Sequence, residues 1–254
     1  MKTNSKLPLA LDCPDKQIYI STLIYSIVSF FTFPFLLLLF SINVEDEAIL
    51  VWYELVYHII NFVFVFKFFR EYLTDAYDLF IARKNDIFFI VKTAVLAILA
   101  VIGLWYLLAK LTKWTPFTIA LLGSLPLSEM DIFLLSADIA YLNPIPGTIA
   151  MVLLSPMICS CIYYSVAFVP AYNVRPWLGY LLVALLLAFP RCCNAFTHWD
   201  PATELVLYLA QLPIHLIACW SYQKADSIYA PILVLTITNL LACGRMIVMA
   251  LLGV

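Results

Sequence analysis

Long apolar runs separated by short polar clusters set the pattern of this chain from Ile18 to Leu252. A hydrocarbon core about 30 Å thick needs about 20 apolar residues per crossing helix. On that rule the sequence predicts spans at Ile18–Ile42, Ile49–Phe69, Asp86–Leu108, Ile145–Ala171, Trp177–Cys193, Leu205–Ser221 and Ile228–Leu252. Between Lys110 and Asn143 the apolar clusters of "WTPFTIALLGSLPLSEMDIFLLSADIAYLNP" are too short or too interrupted to cross. One or two helices lying at the interface or re-entering it are expected there, with an eighth span as the alternative. No internal repeat, low-complexity tract or soluble linker interrupts the pattern. The expectation is one all-α integral domain, a polytopic transmembrane bundle of about seven spans. Residues 1–144 supply N-terminal membrane helices with the interfacial or re-entrant segment near 110–143, and residues 145–254 form a C-terminal core.

Composition agrees with that pattern. The chain is 65% hydrophobic and 12% charged, with a mean hydropathy of +0.99, whereas soluble domains carry about 25% charged residues. Lipid is the expected solvent for most of the surface. A net charge of −2 gives no reason to expect a nucleic-acid partner. The polar leader through Lys16 precedes an apolar run too long for a signal-peptide core and without a small-x-small cleavage site, so it reads as a retained first span. Basic residues favour the cytoplasmic side. Lys2, Lys6 and Lys16, then Lys67, Arg70, Arg83 and Lys84, then Arg175 and Lys224 fall on one side of the alternation, and the acidic "NVEDEA" loop with Lys110, Lys113 and Arg191 on the other. The N-terminus is therefore expected in the cytoplasm.

Candidate chemistry is sparse. The seven cysteines include no CxxC pair, so neither a metal site nor a redox site is expected, and no cofactor. Cys159 and Cys161 lie two apart and point to different sides of a helix. Glu54 and His58 stand one helical turn apart in the second span, an acid–base pair or an interfacial one. His215 follows Pro213, whose ring frees a backbone carbonyl for it to bond. In "SYQKADSIYAPILVLTITN" a polar hinge, Gln223 to Ser227, precedes an apolar helix that carries Asn239. A buried amide there is costly unless bonded.

The segments "SPMICSCIYYS", "PWLGYLLVALLLAFPR", "WDPATELVLYLAQLP" and "WSYQKADSIYAPILVLTITN" together resemble the CPBP family, the CAAX-protease and bacteriocin-processing (Abi) intramembrane proteases. The hinge carries most of the likeness: Tyr222, Lys224, Ser227, Ile228, Ala230, Pro231 and Ile232 fit the family's turn. Pro156, Gly179-Tyr180-Leu181, Trp199-Asp200 and Pro213 are lesser anchors. The resemblance implies a bacterial cytoplasmic membrane and a core in which three motifs on adjacent helices carry peptide hydrolysis. A Glu-Glu-x-x-x-Arg motif activates water, and Phe-x-x-x-His and His-x-x-x-Asn motifs stabilise the developing oxyanion, since the reaction needs a base and preorganised donors.

Counted without gaps, the two glutamates fall on Cys159 and Ser160, the arginine on Tyr164, and the second motif on Leu187 and Arg191. The last motif falls on Leu235 and Asn239. Of the polar catalytic positions only Asn239 keeps its residue, so no intact catalytic site is expected. A local insertion would instead make "NAFTH" the second motif, with His198 as its histidine. The expectation is a non-catalytic pseudoprotease that binds a membrane protein, a peptide or a lipid in the former active-site cavity. The alternative is an active intramembrane endopeptidase using displaced residues, with His198 and Glu204 as its acid–base pair. Under either reading the helices bearing Cys159–Tyr164, Arg191 and Leu235–Asn239 should converge.

Overall fold

A computed structural model describes residues 16–39, 47–82, 86–112, 148–198 and 201–252. Among these the secondary structure is wholly helical, in seven helices. They are α1 Lys16–Leu39, α2 Glu47–Ala82, α3 Asp86–Thr112, α4 Ile149–Val174, α5 Pro176–His198, α6 Pro201–Ala225 and α7 Tyr229–Leu252. Only α4 is clearly long and apolar enough to cross a membrane; Ile87–Ala100, Pro176–Phe189 and Tyr229–Leu240 are shorter apolar stretches of α3, α5 and α7. Beyond Thr112, the expected interfacial or re-entrant segment lies outside the described residues.

The second helix differs from its expected span. Hydropathy ended it at Phe69, but α2 continues to Ala82 and has 36 residues. At about 1.5 Å per residue it is roughly 54 Å long, well beyond a hydrocarbon core of about 30 Å. Its last part, "KFFREYLTDAYDLFIA", contains no glycine or proline to stop it. Phe69, Leu73 and Phe80 are buried along one face, while Arg70, Glu71, Asp75 and Asp78 are exposed. These charges lower the mean hydropathy without breaking the helix, which is why the apolar run ends before the helix does.

Two tight connections follow from local chemistry. Helix α4 reaches α5 through Arg175 alone, at φ −152°, ψ 131°. Proline disfavours a helical conformation in the residue before it and suits the first position of the next helix, so Arg175-Pro176 ends one helix and starts another. At the hinge, Asp226 takes the left-handed conformation (φ 49°), and its N–H bonds the Tyr222 carbonyl at 2.8 Å. Ser227 caps α7: its hydroxyl accepts from the Tyr229 N–H at 3.3 Å and its carbonyl from Ala230 at 3.1 Å. Pro231, which cannot donate, sits within that first turn. Ser227→Ala is expected to cost about 0.5–2 kcal/mol, read as a lower melting temperature in one detergent; an unchanged value would show that the cap contributes nothing.

Helix α6 packs against α3, α5 and α7, while α4 lies against α2, α5 and α7. Small buried residues (Ala94 and Ala97 on α3, Ala218 and Cys219 on α6) allow close helix approach. At the hinge end an aromatic cluster fastens the bundle. The Tyr72 and Tyr222 hydroxyls share a 2.6 Å hydrogen bond, and Tyr229 donates to the Leu73 carbonyl at 3.0 Å. Tyr180 donates to Gln223 Oε1 at 2.7 Å. Phe168 lies at the centre of this layer, against Tyr172, Tyr180 and Tyr222. Gly179 leaves room for it, since a Cβ there would stand 2.9 Å from the Phe168 ring.

Candidate functional site

The site begins with the winding of α4. This helix is α-helical only at Ser155–Cys159 and Val169–Val174; Ile149–Leu154 and Ser160–Phe168 are wound as π-helix. Such widened turns, with hydrogen bonds five residues apart, are rare and often occur at functional sites. The Val169 N–H, for example, reaches the Tyr164 carbonyl. In this winding Cys159 and Tyr164, five apart, are one turn from each other.

The three family-equivalent positions on α4 are set into packing. Cys159 is partly buried, with its sulfur 3.9 Å from Ser155 Oγ. Ser160 is fully buried, its hydroxyl without a hydrogen-bond partner among the described residues, while its carbonyl accepts from Ser165 Oγ at 3.2 Å. Tyr164 is also fully buried, and its hydroxyl is hydrogen-bonded to His215 Nδ1 at 2.6 Å. The rings meet edge to face, with centroids 6.1 Å apart.

The Tyr164–His215 bond corrects the expectation for His215. Its Nδ1 crosses to α4 instead of bonding a carbonyl freed by Pro213 on its own helix. A one-dimensional pattern shows which carbonyl a proline frees but not which side chain a neighbouring helix presents. No sequence signal joined Tyr164 to His215, nor Tyr72 to Tyr222.

Leu235 on α7 is buried in the same cluster as Ile158, Cys161 and Tyr164. Asn239, one turn further along α7, donates from Nδ2 to the Met151 carbonyl of α4 at 2.7 Å. Met151 precedes Cys159 by eight residues, about 12 Å of α-helical rise. The structure therefore brings Leu235 to the cluster around Tyr164, but the Asn239 amide bonds α4 well before Cys159 and Ser160. Of the three helices expected to converge, α4 and α7 meet and α4 and α5 meet, while the Arg191 side chain lies outside the described residues.

The remaining candidates lie elsewhere or have side chains outside the described residues. Leu187 is partly buried on α5, and Arg191 follows it by one turn. His198 ends α5 and Glu204 lies in the first turn of α6, which puts both at the α5–α6 junction. Glu54 and His58 are one turn apart on α2, as expected, and the His58 ring stands edge-on to Tyr57 with centroids 5.5 Å apart. Among the described residues no group of three or more histidine, cysteine or acidic side chains could hold a metal ion.

Chemically, the cluster around Tyr164 offers serine hydroxyls, the Cys159 and Cys161 thiols, a phenol and an imidazole. The imidazole's Nδ1 is already bonded, and none of the family-equivalent positions carries a carboxylate. No family model matches the chain, and no curated protein or solved structure matches it.

Proposed function

We propose that this chain is an integral membrane protein with a CPBP-like core that has lost proteolysis and acts by binding a membrane protein, a peptide or a lipid. The observation that carries the reading is how the family-equivalent polar groups are used. The Tyr164 hydroxyl joins α4 to α6, and the Asn239 amide joins α7 to α4. Both act as braces, and none of the positions counted for the family's motifs carries a carboxylate to activate water. Hydrolysis needs a base and donors aimed at a reacting carbonyl, and donors already bonded within the protein are not aimed at one. The burial of this cluster favours a surface mode of binding. Tyr164, Cys161 and Leu235 occupy the region where a cavity was expected, so the partner would dock against the bundle surface next to it.

Membrane residence is supported by the exposed apolar faces. Leu23, Ile24 and Ile27 on α1, Val56, Ile59 and Val63 on α2, and Val91, Val95 and Leu99 on α3 are all exposed at helical spacing. Soluble monomers rarely expose contiguous apolar patches of more than a few hundred Å². A cytoplasmic hinge end is supported by Arg70, Arg175 and Lys224, which lie where α2, the α4–α5 turn and the hinge meet.

The test is a proteolysis assay of the detergent-solubilised protein with a broad peptide set, for which no turnover is expected. Measurable cleavage that is lost in His198→Ala or Glu204→Gln would overturn the proposal in favour of an active endopeptidase.

A further inference from the structure

Two observations on α4 that were described separately explain each other. At its amino-terminal end the helix is wound with five-residue hydrogen bonds, and the Ser155 N–H goes to the carbonyl of Ala150. In that register the next carbonyl, Met151, would be served by the N–H of residue 156. Residue 156 is proline, which has none. A backbone carbonyl left without a donor in apolar surroundings is costly, and in membrane helices neighbouring side chains often satisfy such groups. The Met151 carbonyl is the acceptor that Asn239 reaches from α7, at 2.7 Å.

We infer that Asn239 supplies the hydrogen bond that Pro156 withholds, so that proline and asparagine, 83 positions apart in the chain, form one device that holds the widened turn of α4 against α7. This inference rests neither on membrane residence nor on the family resemblance. It accounts for an amide in an apolar helix without any catalytic past. The geometry is also selective. A shorter side chain would not span the gap, and leucine would fill the volume without donating.

The device is tested by restoring the backbone donor. Asn239→Leu should lower the melting temperature by a few degrees. Pro156→Ala, which provides an N–H one π-turn beyond Met151, should recover most of that loss in the Asn239→Leu background. The sequence allows a direct readout, because Met-Val occurs once, at Met151-Val152. Labelling methionine with carbonyl ¹³C and valine with ¹⁵N therefore gives a single correlation reporting the Met151 carbonyl in micelles. Its resonance should move upfield in Asn239→Leu and return in the double variant. Strictly additive melting shifts, with no recovery in the double variant, would overturn the inference. If Pro156→Ala does not fold, the labelled Asn239→Leu protein decides alone: an unmoved carbonyl resonance refutes the bond, and an upfield shift supports it.

Discussion

Replacing Cys159 and Ser160 together by glutamate is expected to unfold the protein or leave it barely folded. Ser160 is fully buried and Cys159 partly so, beside a phenol already bonded to His215. Each buried carboxylate would cost several kcal/mol without a counter-charge, against a total stability of about 5–15 kcal/mol. Adding Tyr164→Arg changes the balance, because in the π-wound segment residue 164 lies one turn from residue 159. The full set, with Arg191→His and Leu235→His as well, is expected to recover much of the lost melting temperature. If the core is of the CPBP type in the register given, the full set should also show peptide cleavage. Melting curves and cleavage of the glutamate pair and the full set, measured side by side, check both points. If the glutamate pair alone is tolerated as well as the full set, those positions face water or headgroups and the site is misplaced.

Gly179→Leu is expected to be nearly as damaging. Even a single Cβ would lie 2.9 Å and 3.0 Å from Phe168 ring carbons and 3.0 Å from the Phe168 carbonyl oxygen. In an open site the ring would turn aside, but here it is fully buried among three tyrosines, and the carbonyl belongs to α4 itself. Overpacking of this kind costs about 1–3 kcal/mol and occasionally more. Gly179→Ala recovers at most about 1 kcal/mol from better helix propensity, so a net loss of up to about 2 kcal/mol is expected for that change, and a larger one for leucine. Phe168→Leu should relieve the ring contact only, giving partial rescue. A Gly179→Leu protein that melts with the parent would mean that α4 and α5 do not approach as described.

The sequence showed the helices better than it showed their contacts. Apolar runs located α4 to α7 within a few residues, because burial and lipid contact select the same residue types. The hinge was legible only in part: the polar break was read at Gln223 to Ser227, whereas α6 keeps Gln223 to Ala225 and the turn is Asp226 to Ile228. Helix α2 was cut short because hydropathy registers the apolar part of a helix and not the helix itself. The spacing of Phe69, Leu73 and Phe80 carried the missing information. At the candidate site, counting placed Cys159, Ser160, Tyr164 and Leu235 on neighbouring helices that do meet. It could not reveal that Tyr164 bonds His215 or that Asn239 reaches Met151. Those pairings depend on the rotation of each helix about its axis and on the widened winding of α4, which shifts side-chain positions relative to an ordinary helix.

The junction between α4 and α5 has a consequence for biosynthesis. With Arg175 as the whole link, the two helices form a hairpin with no slack, so the place of one fixes where the other can begin. A ribosome delivering this chain to a membrane would release a pair and not two successive segments. The widened, proline-interrupted α4 is thus followed at once by the helix it packs against, and on the membrane reading proposed above the two would enter lipid together.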